Sequence, residues 1–377
     1  MKIPFNKPFL TGNETKYIEQ AVQSMKISGD GLFTKKCHQF FEEKYGFHKC
    51  LLTTSCTDAL EMAAILIDIQ PGDEVIMPSY TFVSTANAFV LRGAKIVFAD
   101  SLPDHPNIDV SKVEALITSK TKAIVPVHYG GVACDMEEIM SLAKKHSLFV
   151  IEDAAQAIDS FYKGKPLGGI GHLAAFSFHE TKNIISGEGG MLVINDEQFA
   201  HRAEIIREKG TNRSQFYRGE VDKYGWMDIG SSFLPSDIIA AFLFAQLENI
   251  GSIQAKRISQ WNKFYEKLKP LSDKNYFEIL NCSEEKTNNG HLFALIMHDL
   301  EERTSLLDFL KSNGILAVFH YLSLHKSPFY SSKHDGRILE NCDRFSDTLI
   351  RLPFFYELSD EEIEFICNAI SQYFDEK

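Results

Sequence analysis

The sequence predicts an α/β fold: a mostly parallel seven-stranded sheet flanked by helices, followed by a smaller α+β C-terminal domain. Seven short apolar runs in the first two-thirds of the chain are candidate strands: 50–54, 74–78, 95–100, 123–128, 148–153, 174–179 and 191–195. Segments with helical spacing lie between the earlier runs, for example at 58–68 and 136–146. Such alternation is typical of a parallel sheet with both faces covered.

The last two candidate strands are expected to be antiparallel. Only eleven glycine-rich residues separate His179 from Met191, whereas a parallel crossover needs about a dozen residues or more. Lys182 then follows the carboxyl end of a central strand. Open α/β sheets bind their ligands at such ends.

The second domain is predicted from a change of pattern. From about residue 233 the sequence is helical, as expected of a helix pair that leads into another domain, and weaker strand-like runs follow at 291–297 and 316–320. We therefore predict a large domain over residues 1–250 and a small domain over residues 251–377.

Composition excludes several classes of protein. The net charge of −12, from 39 basic and 51 acidic residues, argues against a nucleic-acid partner, which requires a basic face. The N-terminus lacks a secretory signal, and no apolar run approaches the roughly 20 residues of a membrane span. We expect a cytoplasmic protein with no membrane partner. Seven scattered cysteines without C-x-x-C spacing predict neither a metal site nor a disulfide framework.

Asp153 and Lys182 are the candidate catalytic residues. Asp153 ends an apolar run, where a carboxylate is costly unless it meets a cation, although it could instead cap a helix. Lys182 follows the next run. A desolvated lysine is a nucleophilic amine, whereas a lone lysine in a loop is usually solvated. Together, an acid that protonates a pyridine nitrogen and a lysine that forms an imine are what pyridoxal phosphate requires.

Two further stretches fit this cofactor. TSCTDALEMAA at 54–64 predicts a strand, a turn and a helix start, and a helix N-terminus favours a phosphate. Ordinary capping by Ser55 or Thr57 explains the same stretch equally well. Phe82 follows another strand end in PSYTFVST, where an aromatic ring could stack on the cofactor or belong to the core.

Five motifs, in this order and spacing, resemble the DegT/DnrJ/EryC1/StrS family of sugar aminotransferases: TSCTDAL, MPSYTFVSTANA, VPVHYGGVACDM, IEDAAQA and FSFHETKN. The resemblance covers essentially the whole chain. It implies a fold-type I transaminase that depends on pyridoxal phosphate. Lys182 favours a transaminase within this family, because related dehydratases carry histidine in its place.

The resemblance also implies roles for individual residues. Lys182 would hold the cofactor covalently and move the proton, while Asp153 would pair with the pyridinium nitrogen. Gln156 would lie near the 3-hydroxyl of the cofactor. The remaining implied contacts, with phosphate and ring, are those of Cys56, Thr57, Ser177 and Phe82.

One departure from the family concerns the phosphate. Many members donate an asparagine from the partner subunit in a G-x-N-x-x-x-S-D pattern, whereas this chain has GSSFLPSD, with Ser232 in that place. A serine hydroxyl can donate as well, but its reach is shorter. The nearby glycines Gly187, Gly189 and Gly190 would let the backbone pass close to the cofactor, or form a tight turn before the last strand.

The substrate is implied by longer stretches of resemblance within the family, at 72–98, 205–216 and 228–232. They imply transfer from L-glutamate to dTDP-4-dehydro-6-deoxy-D-glucose, giving dTDP-4-amino-4,6-dideoxy-D-galactose. This dTDP-sugar would serve a bacterial surface glycan such as enterobacterial common antigen or the O-antigen of lipopolysaccharide. The alternatives are a sibling transaminase giving the 4-amino-4,6-dideoxyglucose epimer or a 3-amino sugar, a non-catalytic regulator that binds the cofactor, and a nucleotide-sugar-binding protein without it.

Candidate substrate-binding residues lie in two places. The loop at 207–226 carries Arg213, Arg218 and Lys223, and arginine near a diphosphate gives charge-assisted bonds, although a solvated loop is an equal alternative. The resemblance implies that this loop reaches the partner subunit's active site, and so implies a homodimer. His320 and Tyr321 are candidates for the sugar pocket, although histidines on apolar strands are commonly core residues.

Overall fold

The computed structural model describes residues 1–280 and 286–376 of the chain. Its strands, in chain order, are β1 (Lys49–Thr53), β2 (Glu74–Pro78), β3 (Lys95–Ala99), β4 (Thr121–Ile124), β5 (Phe149–Asp153), β6 (Phe161–Tyr162), β7 (Lys165–Pro166), β8 (Leu173–Ser177), β9 (Gly190–Ile194), β10 (Glu278–Ile279), β11 (Ala294–Ile296), β12 (Val318–Phe319) and β13 (Leu349–Arg351). Its α-helices are α1 (Glu14–Gln23), α2 (Leu32–Tyr45), α3 (Cys56–Leu66), α4 (Val83–Val90), α5 (Met136–His146), α6 (Ala200–Arg207), α7 (Arg213–Tyr217), α8 (Asp237–Leu247), α9 (Ile250–Ser272), α10 (Leu300–Ser312), α11 (Glu340–Thr348) and α12 (Asp360–Asp375).

The large sheet has seven strands in the order β1-β9-β8-β5-β4-β2-β3. Strand β9 pairs antiparallel with β8 and with β1, and the other neighbours pair in parallel. The predicted α/β fold, the mostly parallel seven-stranded sheet and the antiparallel final strand are confirmed. The carboxyl ends of β1, β2, β5 and β8 consequently share one edge of the sheet with the beginning of β9.

Alternating side chains of the strands are buried on opposite faces of this sheet. Val75 and Met77 of β2 pack in the core beneath α3 and α4, whereas Ile76 packs in the core beneath α2, α5 and α8. Successive side chains of a strand point to opposite faces, and helices cover both faces of this sheet. The strands therefore carry apolar residues on both faces rather than on one only. The polar ligand-binding groups must therefore come from the strand ends.

The predicted run 123–128 overlaps strand β4 only at residues 123 and 124. Strand β4 ends at Ile124, and Val127 makes only an isolated bridge to Asp153. Pro126 lies between them and has no backbone N–H to donate to a ladder. Backbone hydrogen bonds continue beyond the strand, because the N–H of Val125 donates to the carbonyl of Ile76 and the carbonyl of Pro126 accepts the N–H of Asp153, but they no longer form a regular ladder.

A second, four-stranded sheet in the order β10-β11-β13-β12 occupies the C-terminal part of the chain. Both predicted strand-like runs contain a strand, β11 in 291–297 and β12 in 316–320. This sheet packs with α9, α10 and α12 around its own core, which includes Trp261, Phe264 and Phe293. The domain boundary at residue 250 stays a prediction.

Helices α8 and α9 meet at a bend of 61°. Among the residues described, no single helix is both long and apolar enough to cross a membrane, and this bent pair meets the length and composition criteria only when the two helices are combined.

Candidate active site

A cavity of about 550 Å³ opens at the carboxyl edge of the large sheet. Strand ends, the beginnings of α3 and α4, and the C-terminal part of the chain all contribute to its wall. Nine of the predicted site residues line it: Cys56, Thr57, Phe82, Asp153, Gln156, Ser177, Lys182, His320 and Tyr321. The structure therefore brings together residues that are up to 265 positions apart in the sequence.

Asp153 presents a buried carboxylate at the end of β5, and its side chain is held from two sides. The hydroxyl of Thr85 donates to Oδ2 at 2.7 Å, and the backbone N–H of Ala155 donates to Oδ1 at 3.2 Å. Burial raises the pKa of Asp153, while these two hydrogen bonds and the cation of Lys182 act in the opposite direction. A further cation or N–H donor in the cavity would therefore stabilise the charged form of this carboxylate.

The helix-capping alternative for Asp153 is wrong. In the described chain, the next α-helix after β5 begins only at Ala200. The residues that follow Asp153 form turns instead, although their composition suits a helix.

Lys182 lies in the loop between β8 and β9, half-buried in the cavity wall. Within residues 1–280 and 286–376, its Nζ makes no hydrogen bond or ion pair. Burial lowers the pKa of Lys182 to about 8, and the cation of Arg351 acts in the same direction, whereas Cys56 and Asp153 oppose them. A substantial fraction of this amine is therefore neutral near physiological pH, unlike that of a solvated lysine in a turn.

The beginning of α3 forms one end of the cavity. Ser55 caps the helix, because its Oγ accepts the backbone N–H of Asp58 at 3.1 Å. Thr57 does not cap the helix, since its hydroxyl donates to Oγ of Ser84 at 2.8 Å. The N–H groups of a first helical turn have no partners within the helix and point outward, which suits an anion. Burial also raises the pKa of the Cys56 thiol, so that residue offers its backbone N–H rather than a thiolate.

Gly190 is required by a close approach of backbone to backbone. A Cβ at this position would lie 2.3 Å from the carbonyl carbon of Ser55 and 2.4 Å from the nitrogen of Cys56. The first residue of β9 therefore packs directly against the beginning of α3. Gly187 has a φ of 81° and forms a tight turn. Gly187 therefore serves the turn, and Gly190 serves the close contact with the backbone at the start of α3.

Aromatic and amide groups form the opposite wall. Phe82 precedes α4 and is 54% exposed, with its ring centroid 6.0 Å from that of Tyr321, so it is not a core residue. Gln156 donates from Nε2 to the hydroxyl of Tyr321 at 3.1 Å and accepts the N–H of Gly130 at 2.7 Å. These bonds fix the amide of Gln156 at the cavity wall.

Four of the predicted site residues lie outside this cavity in the single chain. Arg218 forms ion pairs with Glu204 and Glu220, at 2.9 and 2.6 Å. Arg213 donates to the hydroxyl of Tyr217, and both Lys223 and Ser232 are exposed. The roles predicted for Arg213, Arg218, Lys223 and Ser232 require a partner subunit and stay predictions.

Sequence reasoning missed several residues of the cavity wall, among them Thr85, His128, His291 and Arg351. Thr85 lies within the quoted motif PSYTFVST, and its position one turn beyond Phe82 was an available signal. Arg351 carries no local signal, because it ends a three-residue strand that is far from Lys182 in the sequence.

The cavity fits pyridoxal phosphate. The group needs a site for an anion, an acid for its ring nitrogen, an aromatic cover and a lysine amine. The beginning of α3, Asp153, Phe82 and Lys182 provide these four elements around one space.

Comparison with known proteins gives a consistent result. Residues 8–371 match the DegT/DnrJ/EryC1/StrS aminotransferase family. GDP-perosamine synthase of Escherichia coli O157:H7 is 33% identical to this chain, over 100% of the chain and 99% of that protein. Among solved structures, Helicobacter pylori PseC, an aminotransferase involved in the biosynthesis of pseudoaminic acid, superposes with a TM-score of 0.92 at 27% identity, covering 100% of both chains.

The PLP-form of Spr1654 from Streptococcus pneumoniae superposes with a TM-score of 0.91 at 26% identity, covering 100% of this chain and 99% of that one. The predictions of the family, of an aminotransferase and of pyridoxal phosphate as its cofactor are confirmed. This protein belongs to the DegT/DnrJ/EryC1/StrS aminotransferase family, whose members are pyridoxal-phosphate-dependent sugar aminotransferases.

Proposed function

We propose that this protein transfers the amino group of L-glutamate to the 4-keto carbon of dTDP-4-dehydro-6-deoxy-D-glucose, giving dTDP-4-amino-4,6-dideoxy-D-galactose and 2-oxoglutarate. Transamination is supported mainly by the amine of Lys182, which shares one cavity with the carboxylate of Asp153. This amine is unpaired within the described residues, and its pKa is lowered to about 8. The identity of the sugar is supported by the resemblance of residues 72–98, 205–216 and 228–232. The product would serve a cell-surface glycan.

Lys182 and Asp153 divide the chemistry between them. When bound, pyridoxal phosphate supplies a conjugated ring that can accept electrons from the reacting carbon. Lys182 would hold the cofactor between reactions and, once released, would move a proton from the donor's Cα to C4′ of the cofactor, as general base and then acid. Asp153 keeps a proton on the ring nitrogen, and Thr85 and the N–H of Ala155 hold its carboxylate in place.

The other cavity residues hold the cofactor. The N–H groups at the beginning of α3, together with the hydroxyls of Thr57 and Ser177, would bind the phosphate. Phe82 would cover the ring, and Gln156 would lie beside the 3-hydroxyl. His320 and Tyr321 would border the sugar.

We also propose a cytoplasmic homodimer in which the 207–226 loop completes the partner's site. The loop and the residues that follow it expose large apolar side chains, including Trp226 at 86% exposure and Met227 at 60%. Adjacent exposed apolar side chains of this kind commonly mark an interface. Arg213, Arg218 and Lys223 would meet the diphosphate, and Ser232 the phosphate of the cofactor. Light scattering of the purified protein should give twice the mass of the chain, and a monomer would contradict this arrangement.

A second candidate is a transaminase for a GDP-linked sugar. It is favoured by the relative at 33% identity, which is a GDP-perosamine synthase. The two candidates differ in the nucleotide that the site accepts, and therefore in the sugar that would act as amino donor to 2-oxoglutarate in the reverse direction.

The test presents 2-oxoglutarate with dTDP-4-amino-4,6-dideoxygalactose, with its gluco epimer or with GDP-perosamine, and measures the L-glutamate formed. We expect the galacto dTDP sugar to give the largest kcat/KM. A preference for GDP-perosamine would establish the second candidate, and a preference for the epimer would identify the sibling transaminase. If no sugar gives L-glutamate, the proposed function is wrong.

A further inference from the structure

Arg351 places a cation in the cavity wall without a counter-charge. It ends β13, and within the described parts of the chain it forms no ion pair with a carboxylate. Its Nη1 is 3.1 Å from Nε2 of His320, and its Nε is inaccessible to solvent and has no hydrogen-bond partner. The ring of Phe5, 5.0 Å from the guanidinium carbon, gives a cation–π contact but no negative charge. A partly buried guanidinium in this state is stabilised when an anion binds.

His320 holds this guanidinium in position. Its Nδ1 lies 2.6 Å from the hydroxyl of Tyr129, and its Nε2 faces Arg351. Burial and the cations of Arg351 and Lys182 hold the pKa of His320 well below its usual value. The neutral ring can therefore donate from Nδ1 to the tyrosine hydroxyl and accept an N–H of Arg351 at Nε2. The arginine is oriented while most of its donors stay available.

Arg351 belongs to the C-terminal sheet, is held beside His320 and lines the same cavity as Lys182. Its cation lowers the pKa values of both Lys182 and His320. The cavity thus contains two groups of donors for anions, on different elements of the fold. One is the beginning of α3, which suits the cofactor's phosphate, and the other is Arg351.

We infer that Arg351, oriented by His320, binds the α-carboxylate of the amino donor. This inference rests on the proposed transaminase function. In an α-amino acid the carboxylate is attached to the same carbon as the nitrogen, and that nitrogen takes the place of the Lys182 amine. A cation that binds the carboxylate must therefore line the same cavity as Lys182, as Arg351 does.

A nucleotide diphosphate is a poorer match for this position. In a dTDP-4-keto sugar, the sugar ring separates the diphosphate at C1 from the reacting carbon at C4, so its cation belongs farther from the lysine. A planar guanidinium also matches a carboxylate through two parallel hydrogen bonds.

The test compares wild type with Arg351→Gln and Arg351→Lys, all loaded with pyridoxal phosphate. The change in cofactor absorbance is measured against the concentration of L-glutamate, and then of 4-aminobutyrate, which lacks the α-carboxylate. Arg351→Gln should weaken the apparent affinity for L-glutamate roughly 10- to 100-fold and leave the response to 4-aminobutyrate unchanged. Arg351→Lys keeps the positive charge but not the two parallel N–H donors of the guanidinium, so it should give an intermediate loss of affinity for L-glutamate. The matched control is Arg344→Gln, because Arg344 pairs with Glu278 outside the cavity, and it should behave as wild type.

A second measurement separates this inference from the proposed function. Glutarate has carboxylates but no amine, and its binding can be measured by calorimetry in wild type and in Arg351→Lys, whether or not the enzyme reacts. If wild type develops no absorbance change with L-glutamate, the proposed function fails, and glutarate binding still decides the role of Arg351. An unchanged affinity for L-glutamate and glutarate in the Arg351 variants overturns the inference.

Discussion

Replacing Gly190 with alanine should weaken cofactor binding, because it forces apart the two backbone segments that meet at the proposed phosphate site. The added Cβ would lie 2.3–2.4 Å from Ser55 and Cys56, where ordinary contacts begin at 3.4 Å. The first residue of β9 and the beginning of α3 must therefore separate by about 1 Å, an overpacking that typically costs about 1–3 kcal/mol. Both contacted atoms belong to the backbone, so no side-chain rotation relieves the strain.

The effect on the cofactor follows from the displaced N–H donors. Hydrogen bonds to charged groups contribute about 1.5–3 kcal/mol each. Losing the geometry of one such bond to the phosphate should raise the dissociation constant of pyridoxal phosphate at least about tenfold. The assay is a titration of cofactor-free protein with pyridoxal phosphate, followed by absorbance, alongside thermal unfolding with and without cofactor.

The matched control is Gly251→Ala in α9, where a Cβ would meet nothing within 4 Å. Gly251 is the second residue of α9, so this variant should bind the cofactor as wild type does and gain at most about 1 kcal/mol of stability from the higher helix propensity of alanine. If Gly190→Ala also binds pyridoxal phosphate with wild-type affinity, the close approach does not determine the phosphate site and the reasoning is refuted.

Three further predictions concern titrating and buried groups. In cofactor-free protein, the reaction of Lys182 with an amine-specific reagent should rise with pH through about 8, and a midpoint near the ordinary value of about 10.4 would contradict this. Thr85→Val removes the donor to Oδ2 of Asp153 and should lower the free energy of unfolding by about 1–3 kcal/mol, whereas Thr85→Ser should retain it; equal losses in calorimetry would argue against the hydrogen bond. Glu152 accepts three backbone N–H groups and faces Nε2 of His128 at 2.9 Å, so Glu152→Gln should cost about 3–5 kcal/mol. The pKa of Glu152 in the folded protein lies below the reference value of 4.5. The stability that the Glu152 carboxylate contributes is therefore present above pH 4.5 and is lost as the pH falls through the folded-state pKa. If the melting temperature of Glu152→Gln fell as steeply in acid as that of wild type, this prediction would be wrong.

Much of the fold could be predicted because strands buried on both faces produce continuous apolar runs. The short glycine-rich link before Met191 also indicated the antiparallel strand, because it leaves no room for a crossover helix. The end of β4 could not be read from hydrophobicity, since Val125 and Val127 are buried whether or not they pair in a ladder. There, Pro126 was the informative residue.

The site could be predicted as far as it depends on strand ends. Asp153 and Lys182 follow apolar runs, so topology alone brings them to one edge of the sheet. Arg351 could not be found in this way, because its position depends on how the second sheet packs against the first. The alternative that Asp153 caps a helix was wrong although the composition after it favours a helix, because the chain turns there and the N–H of Ala155 bonds to the Asp153 carboxylate.

The central claim is that Lys182 holds pyridoxal phosphate covalently. Its most direct test is borohydride reduction of the loaded protein, followed by mass spectrometry of the intact chain and of its peptides. We expect one added cofactor per chain, located on the peptide that contains Lys182, and none in Lys182→Ala. A cofactor attached to another lysine, or no attachment in wild type after loading, would contradict the account.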